Sequence, residues 1–445
     1  MIWRGSGSYR YPTTLPGPDR DSQPRLATSS AVIPANPVPV RPRLRDAMHH
    51  QLNICLVSQE FPPHTNWGGV GVHFDDLARV LSATGHRVTV VSRMSRGAPG
   101  YERSEGGYDV WRVGFPLWRK RIVGRTLDRI LQARSVASKV RQLDDQEAFD
   151  VVEAPEAGID AELLAKDPRF VERLLVSCHG SNRRGQSVAG PLTLLHSLDW
   201  SWSLRREKAL LSRVRTIVAN SEATRREVYS HGLQIGEVEV VYLGIDPDRF
   251  FPGESRDRES LHVGFVGRLQ EAKGIDFVWR VMQRMGSDSR VRFHLRGTIH
   301  PASRAETIRR LNEFSDIVQY HPPGLRHEMP DFFRSLDVLL LPSRFESFGL
   351  VYVEAMATEL LVFAGKGGAG PEVVSDGETG FLVDPDGSVD VVVDRLLSLA
   401  SDRSLFREMR VQAREAVLER FTVQRSVLGK LAVYQRIAQD RLPLC

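Results

Sequence analysis

Along most of the chain, short continuous apolar runs alternate with longer segments of helical spacing. Leu52–Ser58, Gly85–Val91, Asp150–Glu156, Leu174–Gly180, Thr216–Ser221 and Glu239–Asp246 are largely apolar runs that end in turn-forming or polar residues. The rhythm restarts at His262–Gly267 and continues through Arg290–Arg296, Ile317–His321, Val338–Leu341, Leu360–Ala364 and Glu378–Asp384. Strands that are apolar throughout are covered on both faces, as in a parallel sheet with helices on each side. The alternation predicts an α/β fold built from two doubly wound parallel sheets.

Length agrees with two domains, since 445 residues exceed one ordinary core. Residues 1–50 are rich in Pro, Ser and Arg without apolar periodicity, and predict a disordered N-terminal extension. Met48, directly before the first strand, is an alternative start. Residues 51–250 form the first domain and 251–422 the second, with polar, Pro- and Gly-bearing Pro247–Ser260 as the linker. A final helix is predicted within 423–445. The three cysteines, Cys55, Cys178 and Cys445, show neither zinc spacing nor a disulfide framework, which favours a reducing cytoplasmic setting. A net charge of +5 selects no partner by itself, and no nucleic-acid partner is expected. No apolar run approaches the roughly 20 residues that span a bilayer.

One stretch concentrates the candidate chemistry. Leu339–Ala357 (LLLPSRFESFGLVYVEAMA) reads as a buried strand, a tight loop and a helix. Ser347 is placed to cap that helix, and free backbone N–H groups near Ser347, Phe348 and Gly349 then offer an anion site. Glu346 precedes the helix and Glu354 lies about two turns further in, a separation of roughly 12 Å at 1.5 Å per residue. Carboxylates so spaced suit two ends of one extended ligand; a loop surface charge and a solvated helix position account for them equally.

Other stretches add to it. Gly68-Gly-Val-Gly71, after the first strand, lets backbone approach a ligand at a helix start expected near Phe74, or is a plain turn. It lacks the Gly-x-Gly-x-x-Gly fingerprint, which disfavours a two-domain dehydrogenase. His179 sits at a strand's carboxyl end, where ligands gather in open α/β sheets, with Gly180 leaving room beside it. Arg183 and Arg184 follow it, suited to an anionic acceptor or to a wet loop. Arg268 and Lys273, beside a helix start, suit a diphosphate clamp. Phe115–Arg125 mixes large apolar residues with Arg119, Lys120, Arg121 and Arg125, then continues as a basic amphipathic helix through Leu127, Ile130, Leu131, Val136 and Val140. That segment suits peripheral contact with an anionic membrane, or a core-facing helix with a solvated basic side.

Taken in order, these pieces resemble the retaining GT-B glycosyltransferases of family 4 from about residue 52 onward. The resemblance is carried by Gly68-Gly-Val-Gly71, His179-Gly180, Asn220-Ser221, Arg268 with Lys273, and Glu346/Glu354 at Glu-x7-Glu spacing. Gly367-Gly-Ala-Gly-Pro-Glu372 and Asp376-Gly-Glu-Thr-Gly-Phe-Leu-Val383 complete it. It implies two Rossmann-like domains across a cleft, the first binding the acceptor and the second a nucleotide sugar, with the last helix crossing back. Arg268 and Lys273 would hold the diphosphate, Glu354 the ribose hydroxyls and Glu346 the donor-sugar hydroxyls. Backbone N–H groups at Phe348, Gly349 and Leu350 would complete the pocket. His179 would approach the transferred sugar, and Gly69 would pass near the phosphates. The family works without a cofactor and generally without a metal, so neither is expected.

The implied reaction moves a hexose from a UDP- or GDP-type donor to a carbohydrate or lipid-linked acceptor. Attack comes from the same face, so Glu346 is not assigned as a nucleophile; a two-carboxylate glycosidase needs its pair flanking one bond. Gly367–Glu372 carries one residue more than the common pattern, which leaves sugar and nucleotide identity open. The alternatives are an epimerase or hydrolase of the same fold acting on the nucleotide sugar, and a non-catalytic binding protein.

Overall fold

The computed structural model describes residues 50–440 apart from 63–68, 94–99, 115–124, 157–159, 181–193, 234, 255–258, 287 and 289. The N-terminal extension, Gly68, the Phe115–Gly124 part of the basic segment, Arg183, Arg184 and Cys445 lie outside the described residues. Two sheets are found among those described.

The first contains β1 (Asn53–Ser58), β2 (Arg87–Arg93), β3 (Gly100–Arg103), β4 (Asp109–Val113), β5 (Val151–Pro155), β6 (Leu174–Cys178), β7 (Thr216–Ala219) and β8 (Val238–Val240). Their order is β3-β4-β2-β1-β5-β6-β7-β8, parallel except where β3 runs against β4. Successive β1 residues feed opposite cores: Cys55 and Val57 one, Ile54 and Leu56 the other. That two-sided burial is why the strand is continuously apolar. Trp111 lies on β4, a strand absent from the apolar-run pattern because Asp109 and Arg112 interrupt its apolar residues. Its ring packs on Tyr101 and carries the Lys139 ammonium 4.3 Å from its centroid.

The second sheet contains β9 (Leu261–Val266), β10 (Val291–Arg296), β11 (Val318–His321), β12 (Val338–Leu341), β13 (Leu361–Gly365) and β14 (Phe381–Val383), ordered β11-β10-β9-β12-β13-β14 and parallel throughout. Strand order reverses between β1 and β5 in the first sheet and between β9 and β12 in the second. Such switch points open a crevice beyond the strands' carboxyl ends.

Where it is described, the basic amphipathic segment follows its core-facing alternative. In the Arg125–Gln146 helix, Val136, Ala137 and Val140 are buried in the core of the first lobe, and Ala133 is buried too. A face already covered by protein is not available to a lipid surface. No helix among the described residues is long and apolar enough to cross a membrane.

The chain crosses between lobes twice, side by side. The Ile245 N–H donates to the Phe421 carbonyl at 2.9 Å, and the Val423 N–H donates to the Ile245 carbonyl at 2.8 Å. The helix Val423–Gln439 then lies on the first lobe, with Val427, Leu431 and Tyr434 in the same core as Phe74 and Leu77. Thr422 caps it by accepting the Arg425 N–H. Lys430 on this helix meets Glu153 of β5 at 2.8 Å, with side chains 2% and 0% exposed, and the Tyr434 hydroxyl donates to the same carboxylate. Burial opposes the Glu153 charge, yet the Lys430 ammonium and these hydrogen bonds hold its carboxyl below the ordinary range.

Removing one member of such a pair strands a buried charge, at a cost of about 3–5 kcal/mol. Lys430→Met is therefore expected to lower the denaturation midpoint sharply, and adding Glu153→Gln to recover part of the loss. Equal stability of Lys430→Met and wild type in a urea titration would refute this account.

Candidate functional site

The second lobe's switch point builds the site from two loops that interlock through glycines. After β9, Gly267 and the exposed Arg268 lead into a short 3-10 turn, Glu271–Lys273. Gly274 follows at φ 75°, and a Cβ there would lie 2.1 Å from the Pro342 carbonyl oxygen. After β12, Arg344 donates to both Asp276 carboxylate oxygens at 2.8 Å, tying the second loop to the first. Held this way, the Lys273 ammonium reaches Glu346 Oε1 at 2.7 Å, and the Ser343 hydroxyl donates to the same oxygen at 2.7 Å. Both bonds fall on Oε1; Oε2 has none among the described residues. The loop after β13 closes over this turn, because a Cβ on Gly367 or Gly368 would lie 1.8 or 2.0 Å from the carbonyl oxygens of Arg344 and Glu346.

The helix after this turn starts later than its sequence suggests. It spans Leu350–Ala357, and the residue before it is Gly349, left-handed at φ 89°, with no side-chain cap. Ser347 does not cap it, so the expectation is corrected. The Ser347 carbonyl instead accepts from the hydroxyls of Ser221 and Thr224 in the other lobe. Residues 347–349 are not helical, so a helical rise between Glu346 and Glu354 does not apply. The first N–H groups of an uncapped helix have no partner within it and carry partial positive charge. The Phe348 ring turns away from them, packing on Tyr242 and Phe421 with centroids 6.0 and 5.7 Å apart. Buried Tyr352 braces the strand ends by donating to the Leu341 carbonyl at 2.9 Å and accepting from the Gly365 N–H at 3.2 Å. Burial pushes the Glu354 carboxyl up to about 7; Arg326 and Arg249 pull it down and Asp76 adds to the rise.

The first lobe faces these loops. The glycine segment enters its helix at Gly69, five residues before the expected start, and the helix runs to Ala83. A Cβ on Gly69 would lie 3.8 Å from the Leu350 side chain, and one on Gly180 would lie 3.3 Å from the Ser347 Cβ. The His179 ring lies beside His73 and Phe74, with centroids 5.5 and 5.9 Å away. Burial, then the nearby Lys430 charge, lowers His179 to about 4, so its imidazole is neutral at physiological pH. His73, on the glycine-led helix, is held well below the ordinary range by burial, His179 and Lys430.

Polar contacts join the lobes around this face. Arg326 pairs with Asp75 at 2.7 Å and with Asp76. Ser221, at the end of β7, caps the helix Glu222–Tyr229 by accepting the Thr224 N–H at 3.0 Å. Glu372, in the short helix Gly370–Val373 that follows β13, accepts the N–H groups of Glu222 and Ala223 at 2.8 and 2.6 Å.

The structure thus brings Lys273, Glu346, Phe348, Gly349 and Leu350 together, sets Gly69 and the His179-Gly180 turn across from them, and leaves Glu354 further along the helix beside Arg326. Arg268 stands at the β9 end without a direct contact to Glu346. Sequence reasoning missed His73, Ser343, Tyr352 and the capping use of Glu372. Glu372 carried a signal in its place beside the glycine loop, and Ser343 one in its spacing three residues before Glu346; His73 and Tyr352 depend on returns of the chain that no local pattern encodes.

Two family models match the chain: Glycosyltransferase Family 4 over residues 67–249, and Glycosyl transferases group 1 over residues 247–417. The D-inositol 3-phosphate glycosyltransferase of Kineococcus radiotolerans is 32% identical over 264 residues, which span 53% of this chain and 60% of that relative. Sucrose-phosphate synthase from Thermosynechococcus elongatus has a TM-score of 0.74 at 19% identity, over 88% of this chain and 100% of that one. HepE from Anabaena, in complex with UDP-glucose, has a TM-score of 0.66 at 19% identity, over 87% and 100%. These structures share the GT-B fold of two facing parallel-sheet α/β lobes.

Glu372→Ala removes an anion and two acceptors from a helix N-terminus, contacts worth about 1–2 kcal/mol together. Its melting temperature is expected to fall by a few degrees, and hydrogen exchange in the first turn of Glu222–Tyr229 to quicken. Unchanged exchange there would contradict the capping role.

Proposed function

We propose that this chain, which belongs to the family-4 glycosyltransferases of GT-B fold, moves a hexose from a nucleotide sugar to a carbohydrate or lipid-linked acceptor with retention of configuration. One observation carries the reading. Lys273, Glu346 and the uncapped amides at Gly349 and Leu350 meet at the carboxyl edge of the second sheet, with Gly69 and Gly180 of the first lobe facing that turn.

Breaking a glycosyl–phosphate bond puts negative charge on the leaving diphosphate and positive charge on the sugar. Lys273 keeps donors for phosphate oxygens while its third N–H stays on Glu346, since an ammonium has three. The helix amides add fixed dipoles, and Arg268 a second cation. Groups that need not reorganise stabilise the charge as it forms, each donor worth on the order of 10²–10³ in rate. Glu346 is oriented by Lys273 and Ser343, which leaves Oε2 for sugar hydroxyls. Glu354 takes the ribose diol. Neutral His179 exchanges hydrogen bonds with the transferred sugar and adds no positive charge beside a developing oxocarbenium. The leaving phosphate oxygen receives the acceptor proton. The UDP-glucose complex of HepE favours a UDP-type donor. The name of the Kineococcus relative adds D-inositol 3-phosphate to the acceptors to be tried.

A panel of UDP- and GDP-sugars, read by thermal shift and then by transfer to candidate acceptors, tests the reading. One donor is expected to raise the melting temperature and support transfer. Free sugar released at the full rate without acceptor would instead indicate a hydrolase. Glu346→Gln and Lys273→Ala are each expected to slow transfer by at least about tenfold with folding intact; wild-type rates in either variant end the role given to that residue. Because the Glu354 carboxyl titrates near 7, donor affinity is expected to rise between pH 6 and 8 as it ionises, and to lose that dependence in Glu354→Gln. A flat wild-type profile would remove Glu354 from donor binding.

A further inference from the structure

We propose that Glu156 is a positioning residue that sets where His179 stands in the cleft; the proposal rests on the reading that His179 meets the transferred sugar. Glu156 follows β5, across the first sheet's switch point from the glycine-led helix, and is 2% exposed. Its Oε1 accepts two consecutive backbone N–H groups, those of His179 and Gly180, both at 2.8 Å. Two convergent N–H groups on one oxygen fix the orientation of the peptide between them. The chain leaves β6 through Gly180 at φ 129°, a conformation open to glycine. This turn presses Gly180 toward Ser347 and lays the His179 ring against His73 and Phe74.

Among the described residues no side-chain hydrogen bond does that work. Nε2 of His179 is buried without a partner among them, and the ring lies where its backbone and the neighbouring rings put it. The backbone is held by Glu156. Burial, then the charge of Glu207, pushes the Glu156 carboxyl up to about 8, although the two N–H groups pull it down. At neutral pH the group therefore serves as a neutral acceptor, a task a glutamine carbonyl performs equally well.

The test compares the full chain with Glu156→Gln, Glu156→Met and His179→Ala, reading transfer kcat, nucleotide-diphosphate affinity and melting temperature. Glu156→Met keeps the volume but offers no acceptor. It is expected to lose at least about tenfold in kcat with diphosphate affinity within about twofold, while Glu156→Gln retains most of the rate. Combining Glu156→Met with His179→Ala is expected to cost little more than His179→Ala alone, since coupled residues are not additive. Should Glu156→Met not fold, Glu156→Asp, which withdraws the oxygen by one methylene, carries the same expectation at about fivefold. Wild-type kcat in Glu156→Met or Glu156→Asp beside an impaired His179→Ala overturns the positioning role. Loss in Glu156→Gln equal to that in Glu156→Met overturns it too. An unimpaired His179→Ala overturns the reading of His179, a separate failure.

Discussion

Where the chain passes between lobes there is no room for a side chain. A Cβ on Gly244 would lie 2.2 Å from the Thr422 carbonyl carbon. That closeness lets residue 245 bond backbone to backbone with Phe421 and Val423, so the two crossings run as one paired ribbon. The cleft is referenced to this ribbon. Tyr242, Phe421 and Phe348 pack on one another across it, and Phe348 belongs to the turn whose amides face the first lobe. The crossing and the turn after Glu346 therefore share one cluster of three aromatic rings.

Three charge pairs near the cleft join distant parts of the chain. Lys273 takes Glu346, Arg326 takes Asp75 and Asp76, and Lys430 takes Glu153. Desolvated pairs of this kind add little to stability over apolar replacements, but they strongly disfavour misaligned arrangements that would leave a charge alone. Two of the pairs tune neighbours that have no charge partner of their own. Burial keeps the imidazoles of His73 and His179 neutral and the Lys430 charge adds to that lowering, while Arg326 offsets part of the burial that raises Glu354. The returning C-terminal helix therefore does more than cover a sheet: it carries a cation that adds to the lowering which burial imposes on the first lobe's histidines.

The loops at the carboxyl ends of β9 and β13 carry glycines where they meet the β12 loop, for a steric reason. Gly274, Gly367 and Gly368 each lie against a carbonyl oxygen at a distance that excludes a Cβ.

Much of this was legible in the residues themselves. Continuous apolar runs marked the parallel strands because burial on both faces leaves no polar positions, and the glycines marked the loops because close backbone contact tolerates nothing larger. Glu346, Lys273 and His179 stood out because they lie at strand ends, which is a local property. Tertiary structure alone decided the rest. Which oxygen of Glu346 faces Lys273, why Ser347 serves the other lobe, how Glu156 holds the turn at His179, and that the face of Val136 and Val140 belongs to a core all depend on segments far apart in the chain arriving at the same place. Local spacing records which side chains are buried and where the chain turns; it carries no record of what returns to meet them.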